Sequence, residues 1–373
     1  MKNRSLTGNR RKFLKTMAQN GLLISAGSML PAGSAFAYGG EAVASDHTKR
    51  REGPLRIWLS SGLDPDLEQQ VRSISNEIIL VKAAGNAEKA SFLPEIEACF
   101  GFINEADLKK AGNMKWVHSM SAGVENYLYP EMIHRDEIML TNAKGCYGPA
   151  IAEHTFGLLF SLTRGIKEQS LNMTSSRWKG VDRQVEMRDL TMGIVGFGGI
   201  GREIARRAKA MDLKVVAADI RPLTQETTGN MVDELYDMNF GGLDKVLEQA
   251  NILVSAVPHT RKTEGMFDWE VFKKLPEDAY FINISRGKVT NTRDLMRALD
   301  EGKLAGAGLD VTDPEPLPAD HALWKYPNVI VTSHISGRSQ YSHVRSQKVF
   351  VENVRRYYHG LPLINPVDKA AGF

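Results

Sequence analysis

The sequence predicts an α/β protein made of two doubly wound parallel-sheet domains with a cleft between them. Two observations carry that expectation: short apolar runs alternate with helix-like stretches along most of the chain, and a glycine-rich strand–turn–helix stands near its middle. LRIWLS (55–60), EIILVKA (77–83) and ACFGFI (98–103) read as buried strands, separated by amphipathic stretches such as PDLEQQVRSI (65–74). KWVHSM (115–120) and IMLTNA (138–143) extend the series. From Ala150, AIAEHTFGLLFSLTRGIKEQSLNM reads as one long helix, apolar at Ile151, Phe156, Leu159 and Leu162, bridging the two halves. Six more strands follow: TMGIVGF, LKVVAADI, NILVSAVP, AYFINIS, AGAGLDV and NVIVTSHI. A last helix, SQKVFVENVRRYYHG, comes after that second series and is expected to return to the first domain. The division is therefore 54–154 with 339–373 for one domain and 155–338 for the other.

Charge and length narrow the classes. The chain has 373 residues with 47 basic and 44 acidic side chains. Six of the basic residues, Lys2, Arg4, Arg10, Arg11, Lys12 and Lys15, lie in residues 1–37, which contain no acid. NRRKFLK (9–15), a mild apolar run and Ala35-Phe36-Ala37 form the pattern of a twin-arginine export leader cleaved after Ala37, with a polar linker at 38–53. Residue 9 is Asn where Ser or Thr is commoner. Without the leader the balance is slightly acidic, and no Lys/Arg stripe marks a nucleic-acid surface. The run from Gly21 to Ala37 falls short of the roughly 20 apolar residues of a membrane span, and no Cys follows it for a lipid anchor. The expected location is the periplasm, reached by the twin-arginine machinery; translation starting at Met17 would remove both arginines and leave the protein cytoplasmic. Only Cys99 and Cys146 are present, which excludes a disulfide framework or a cysteine zinc site.

The central motif, TMGIVGFGGIGREIARRAKAM, places Gly196, Gly198 and Gly201 in a G-x-G-x-x-G spacing directly between an apolar strand and a helix. That context is the one the physics requires. Gly196 permits a tight turn, Gly198 lets backbone approach a pyrophosphate, and Gly201 allows close helix–strand packing, with the phosphates on the helix N-terminus. The next strand ends in Asp219, whose carboxylate suits the two ribose hydroxyls of an adenosine and repels a 2′-phosphate, so NAD is expected before NADP. Arg221, two residues on, is a guanidinium able to hold that phosphate. This half reads as a Rossmann domain.

Ligands in open α/β sheets bind beyond the carboxyl ends of the strands. The later strands end at VPHT (257–260), NISRG (283–287), LDVTDPEP (309–316) and SHISG (333–337), and these ends offer Arg286, Asp310, Glu315 and His334. With IVGFGGIGREIA, the run LPEDAYFINISRGKVTN (275–291), AGAGLDVTDPEPLP and NVIVTSHISG, the sequence resembles the D-isomer-specific 2-hydroxyacid dehydrogenase family. WVHSMSAGVENY (116–127) and NAKGCYGPAIAEH (142–154) resemble segments of that family's first domain. The resemblance implies a flavodoxin-like substrate domain beside the Rossmann domain, and a homodimer built through the cofactor domains. It implies Arg286, Glu315 and His334 as the catalytic set and Asp310 as the holder of the nicotinamide carboxamide. Further cofactor contacts are implied at Gly199 and Ile200 of the glycine loop, at Val257, Pro258 and Ile284, and at Gly337, beside Arg286 and His334 themselves. Ser333 stands where the family commonly has Pro, Ala218 where an aromatic is frequent, and Glu125 where Asp is common; every catalytic group remains.

The implied chemistry is hydride transfer between a nicotinamide and a small D-2-hydroxy acid or its 2-keto acid. His334 is the acid/base at the carbonyl oxygen, and Glu315 fixes its tautomer and favours the imidazolium. Arg286 pairs with the substrate carboxylate through its planar fork, and the backbone amides of Ala122, Gly123 and Val124 take the other carboxylate oxygen. No metal-ligand spacing exists. The alternative in another class is an NAD(H)-sensing binding protein of this fold without turnover. Glu153 and His154 are expected to pack near the cleft, Cys146 and Tyr147 to face substrate, and His118 to line the pocket or cap its strand.

Overall fold

The structure, a computed structural model, describes residues 53–372; the expected leader at 1–37 and the expected linker at 38–53, save Gly53, lie outside the described residues. The first sheet contains β1 (Leu55–Leu59), β2 (Ile78–Val81), β3 (Ala98–Phe100), β4 (Trp116–His118) and β5 (Met139–Thr141), in the order β2-β1-β3-β4-β5. The second contains β6 (Thr191–Val195), β7 (Lys214–Asp219), β8 (Glu234–Asp237), β9 (Ile252–Ser255), β10 (Ala279–Asn283), β11 (Leu304–Leu309) and β12 (Val329–Val331), in the order β12-β11-β10-β9-β6-β7-β8. Every ladder in both sheets is parallel. In each sheet the first strand sits between its two successors in opposite directions, β1 between β2 and β3, and β6 between β7 and β9. These are the switch points where a crevice opens at the strands' carboxyl ends.

The helices that bear on the site are α1 (Pro65–Ile74), α2 (Gly148–Thr163), α3 (Ile166–Thr174), α4 (Gly199–Ala210) and α5 (Ser342–Tyr358). The first matches its sequence pattern residue for residue. Asp64 caps it by accepting from the Asp66 amide, Pro65 opens it, and Leu67 and Val71 form the buried stripe. The long bridging helix is not continuous. It breaks at Gly165, which adopts φ +65° and whose missing Cβ leaves room for Val181, so α2 and α3 are separate. The apolar pattern cannot register such a break, because α3 buries none of its residues. Position 154/155 falls inside α2, whose buried residues Ile151, Ala152, Phe156, Leu158 and Leu159 pack on the second sheet's core.

The second sheet has seven strands where the apolar runs predict six. The additional one, β8, is the polar edge segment ELYD with all four residues half-buried; a strand that exposes one edge needs no apolar run. The chain's last helix begins earlier than its apolar pattern and returns to the first sheet. Phe350, Val351 and Val354 of α5 join Leu55, Ile57, Phe100 and Trp116 in one core, with Phe350 stacked 4.2 Å from Phe100. The tail then pairs with β5, Val367 donating to the Leu140 carbonyl at 2.8 Å, while Lys369 Nζ donates to three carbonyls at Met132, Arg135 and Ile138.

His118 neither lines a pocket nor caps a strand. It is fully buried in this core among Phe100, Trp116 and Phe350. Its Nδ1 meets Thr141 Oγ1 at 2.7 Å, and Nε2 has no hydrogen-bond partner among the described residues. Burial pushes its pKa down to about 3. The folded state thus holds a neutral imidazole, while the unfolded chain takes up a proton below about pH 6.5. Stability from this group is present above pH 6.5 and is lost as pH falls toward 3, at about 1.4 kcal/mol per pH unit. His118→Phe keeps the ring and removes the titration. Urea unfolding at pH 7 and pH 5 should show the variant gaining roughly 2 kcal/mol on the parent between the two; an unchanged gap would refute the assignment.

Candidate active site

The carboxyl ends of β9 to β12 are stitched together by backbone. Asp310 N donates to Asn283 O at 3.0 Å, Thr332 N to Leu309 O at 2.9 Å, and His334 N to Asp310 O at 2.8 Å. Ser255 and Ser285 hydroxyls meet at 2.8 Å across β9 and β10. The N-x-S-R-G motif gains a physical reason here. Asn283 Oδ1 accepts from the Ser285 amide and hydroxyl, and its Nδ2 donates to Arg286 O and Thr290 Oγ1. One buried amide side chain therefore folds the turn that delivers Arg286.

Asp310 does the same for the histidine loop. It is 1% exposed. Its Oδ1 accepts from Thr332 Oγ1 at 2.7 Å and the Ile335 amide at 3.0 Å, and Oδ2 from the Ser336 amide at 3.0 Å. Burial pushes this carboxyl upward, but hydrogen bonds from Ser336, Thr332 and the backbone outweigh it and hold it below the usual carboxylate range. Three of the carboxylate's acceptor positions are thus taken by the loop that carries His334. His154, on α2, extends the network: Nε2 lies 2.9 Å from Thr332 Oγ1 and 3.5 Å from Asp310 Oδ1.

His334 itself adopts φ +54°, and its Nδ1 meets Glu315 Oε1 at 2.7 Å. An ionised carboxylate only accepts, so the bond assigns a proton to Nδ1. Arg286 reaches across to the first sheet's loops. Its Nε donates to Glu125 Oε1 at 2.8 Å and its Nη1 to Ser285 O at 2.7 Å. Its Nη2 lies so close over Gly123 that a Cβ there would sit 1.8 Å away. The amides of Ala122, Gly123 and Val124 donate to no other described residue. The expected carboxylate seat and the expected guanidinium are thus side by side. Glu125, a departure from the family pattern to which the sequence gives no role, is the residue that joins them. A pair separated by 161 positions leaves no local signal.

At the cofactor end, α4 begins with Gly198 as its N-cap and no side-chain cap, so its first amides are available to an anion. Gly196 adopts φ +93° with its missing Cβ against Ala256 O, and Gly201 packs on Gly196 O. Gly198 faces open space. This cradle fits the pyrophosphate of a dinucleotide. Asp219 departs from expectation. It is buried, and its oxygens accept from the Phe197 amide at 2.7 Å, the Arg221 amide and Nε at 2.9 Å, and Arg221 Nη2 at 2.9 Å. Burial raises this carboxyl's pKa, yet the Arg221 and Phe197 hydrogen bonds bring it below the usual range. The guanidinium thus occupies the acceptors that a ribose diol would use. Lys144, from the loop after β5, feels the charges of both Arg221 and Asp219 and is held low chiefly by burial; nothing in its sequence context signals that position.

Cys146 and Cys99 are both buried and unpaired, with burial pushing the Cys146 thiol up to about 11, so it is a packing residue rather than a nucleophile. The Tyr147 hydroxyl donates to Met120 O, and its ring lies against Gly337. Val257 and Ile284 are buried under the cleft floor. Among the described residues no His/Cys/Asp/Glu group has the makings of a metal site, and no helix is long and apolar enough to cross a membrane.

The chain matches the profile of the D-isomer specific 2-hydroxyacid dehydrogenase, NAD binding domain, over residues 156–336. It is 33% identical over 257 residues to a glyoxylate reductase of Thermofilum pendens, covering 68% of this chain and 74% of that protein. It is 30% identical over 272 residues to the human glyoxylate reductase/hydroxypyruvate reductase, covering 70% and 79%. Among solved structures it is similar to the NADPH-dependent glyoxylate/hydroxypyruvate reductase of Sinorhizobium meliloti in complex with NADP and sulfate, with TM-score 0.70, 28% identity, and coverage of 86% of this chain and 100% of that one.

The Asp219–Arg221 pair sets cofactor preference in a testable way. Arg221→Ala should lower the NADH dissociation constant about fivefold by freeing the carboxylate, and raise that for NADPH. Fluorescence titration of both nucleotides checks it, and a parallel change for the two would overturn it.

Proposed function

The chain belongs to the D-isomer specific 2-hydroxyacid dehydrogenase family, and on that footing we propose that its substrate is a small 2-keto acid of the size of glyoxylate or hydroxypyruvate. It is an NAD-dependent oxidoreductase interconverting a D-2-hydroxy acid and its 2-keto acid. The single observation that carries the substrate reading is the adjoining of the Arg286 fork to the open amides of 122–124. That is a seat for one carboxylate, one loop away from the His334–Glu315 pair.

In this reading Gly196, Gly198, Gly199, Ile200 and Gly201 hold the pyrophosphate, and a bound nicotinamide supplies or accepts the hydride. Arg286 grips the substrate carboxylate by its outer nitrogens and draws charge toward the neighbouring carbonyl oxygen. His334 Nε2 delivers the proton to that oxygen in reduction and removes it in oxidation. Glu315 keeps the proton on Nδ1 and the ring in one orientation. Asp310 acts by holding the loop rather than by touching the reacting atoms. The cleft lies between a substrate domain (54–154 with 339–373) and an NAD-binding domain (155–338). Exposed Ile166, Leu171, Met173 and Trp178 after the helix break support a homodimer through the cofactor domains, since an apolar arm of this kind calls for a covering surface.

NADH oxidation with glyoxylate, hydroxypyruvate, pyruvate and phenylpyruvate tests the reading. Turnover should be best with the first two, and hydroxypyruvate should give the D product. His334→Gln should lower kcat by about 10²–10⁴-fold with NADH affinity kept. Tight NADH binding with no turnover on any of the four would sink the proposal.

The leader supports export by the twin-arginine route to the periplasm with the dinucleotide already seated, since binding before transport stabilises the folded state. Arg10→Lys with Arg11→Lys should retain the protein in the cytoplasm, and the mature periplasmic form should yield nucleotide by mass spectrometry. Unaltered export of the double variant would end the leader proposal, and nucleotide-free protein the co-transport one.

A further inference from the structure

We propose that Glu125 is a positioning residue that presents Arg286 to substrate by one edge only, and that its charge makes the cleft select 2-keto acids carrying no second anionic group. The inference rests on the functional reading above and deepens it.

Arg286 has five N–H groups. The Nε–H is held by Glu125 Oε1 at 2.8 Å and one Nη1–H by its own neighbour's carbonyl, Ser285 O, at 2.7 Å. What remains is the outer edge, one N–H on Nη1 and two on Nη2. Nη2 is the atom that lies over Gly123, next to the unused amides of 122–124. The fork is therefore gripped from behind by two acceptors from different sheets' loops. A carboxylate entering the cleft meets a guanidinium that has lost its freedom to swivel, which is where most of an arginine's binding cost lies.

The same contact sets a charge limit. Glu125 directly follows the amide seat in sequence, and its second oxygen points along Gly123, where a Cβ would come within 2.5 Å of it. Burial raises the Glu125 carboxyl, but the Arg286 charge and hydrogen bond outweigh it, with His259 adding to them, so it stays ionised. His259 Nε2 in turn faces Glu264 at 3.7 Å. The guanidinium is thus largely balanced before substrate arrives. One carboxylate still gains the outer N–H groups and the amide dipoles. A phosphate or second carboxylate on the same molecule brings a further negative charge into the partly desolvated cleft that already holds the Glu125 charge, where like charges repel.

Hydroxypyruvate and phosphohydroxypyruvate differ only in the 3-phosphate and are the matched probes. The parent enzyme should favour hydroxypyruvate. Glu125→Gln keeps an acceptor for Nε and removes the charge, so KM for phosphohydroxypyruvate should fall about tenfold relative to KM for hydroxypyruvate. Glu125→Ala frees the fork, and KM should rise about tenfold for both substrates with a smaller change in kcat. Oxamate, a monoanionic keto-acid mimic, reports the seat without turnover: its affinity for the NADH complex should fall at least about fivefold in Glu125→Ala, with NADH affinity unaltered. A parent enzyme that favours the phosphorylated substrate, a Glu125→Gln effect equal for both substrates, or unchanged oxamate affinity in Glu125→Ala overturns the inference. So does a loss of NADH binding in both variants, which would mark Glu125 as merely structural. Absence of turnover with every keto acid in the parent condemns the functional reading instead, and the oxamate titration still decides the positioning role.

Discussion

The placement of His334 depends on one buried carboxylate. His334 sits at φ +54°, a left-handed conformation that costs a non-glycine residue about 1–2 kcal/mol. Asp310 offsets this by collecting three successive amides: its carbonyl accepts from His334, and its two carboxylate oxygens accept from Ile335 and Ser336. Hydrogen bonds to an ionised group contribute about 1.5–3 kcal/mol each, so the loop is strongly over-determined. A carboxylate buried without a cation survives only because dipoles surround it, and Thr332, supported by His154, completes the shell. The strained geometry at His334 is the by-product of that satisfaction, and it aims the ring toward Glu315.

The same economy organises the rest of the cleft. Asn283 folds the Arg286 turn, as Asp310 folds the His334 turn, each from the carboxyl end of an adjacent strand. Chemistry-bearing side chains thus rise from the second sheet on rigid supports. The first sheet contributes backbone amides and a single acid, Glu125, through a loop that only a glycine at position 123 can bring so near the guanidinium. The His334–Glu315 pair thus belongs to one sheet, while the Arg286–Glu125 pair needs both.

Much of this was legible in the sequence, and the parts that were not share a cause. Strands buried on both faces announce themselves as apolar runs, so eleven of the twelve could be read, and β8 could not because its polar edge residues are only half-buried. The glycine spacing fixed the dinucleotide turn because each glycine answers a local steric need. Arg286, Glu315 and His334 were marked by motif and by strand order, which places their strand ends side by side. The engagement of Asp219 by Arg221 was half visible, since the two are neighbours in sequence but their bidentate geometry is not. Glu125 with Arg286, His154 with Thr332, and Lys144 near the adenosine end join loops far apart in sequence. No periodicity encodes such meetings. The burial of His118 was hidden for the same reason: its cover, Phe350, arrives from the last helix.

Three acid–base pairs line the cleft from end to end: Asp219 with Arg221, Glu315 with His334, and Glu125 with Arg286. In each, at least one partner is substantially exposed, and pairs of that kind contribute only about 0–1 kcal/mol. A ribose can therefore exchange for Arg221, and a carbonyl oxygen or a carboxylate can add to His334 or Arg286 with their acid partners in place, at little cost. Asp310 is of the opposite kind, sealed among amides that no ligand can replace. The cleft thus separates what must not move from what ligands must be free to rearrange, and it does so by burial rather than by residue type. An aspartate sealed against the loop of the neighbouring strand, as Asp310 is, is a fixed support; one that bonds a half-exposed arginine, as Asp219 does, is a contact held ready for exchange.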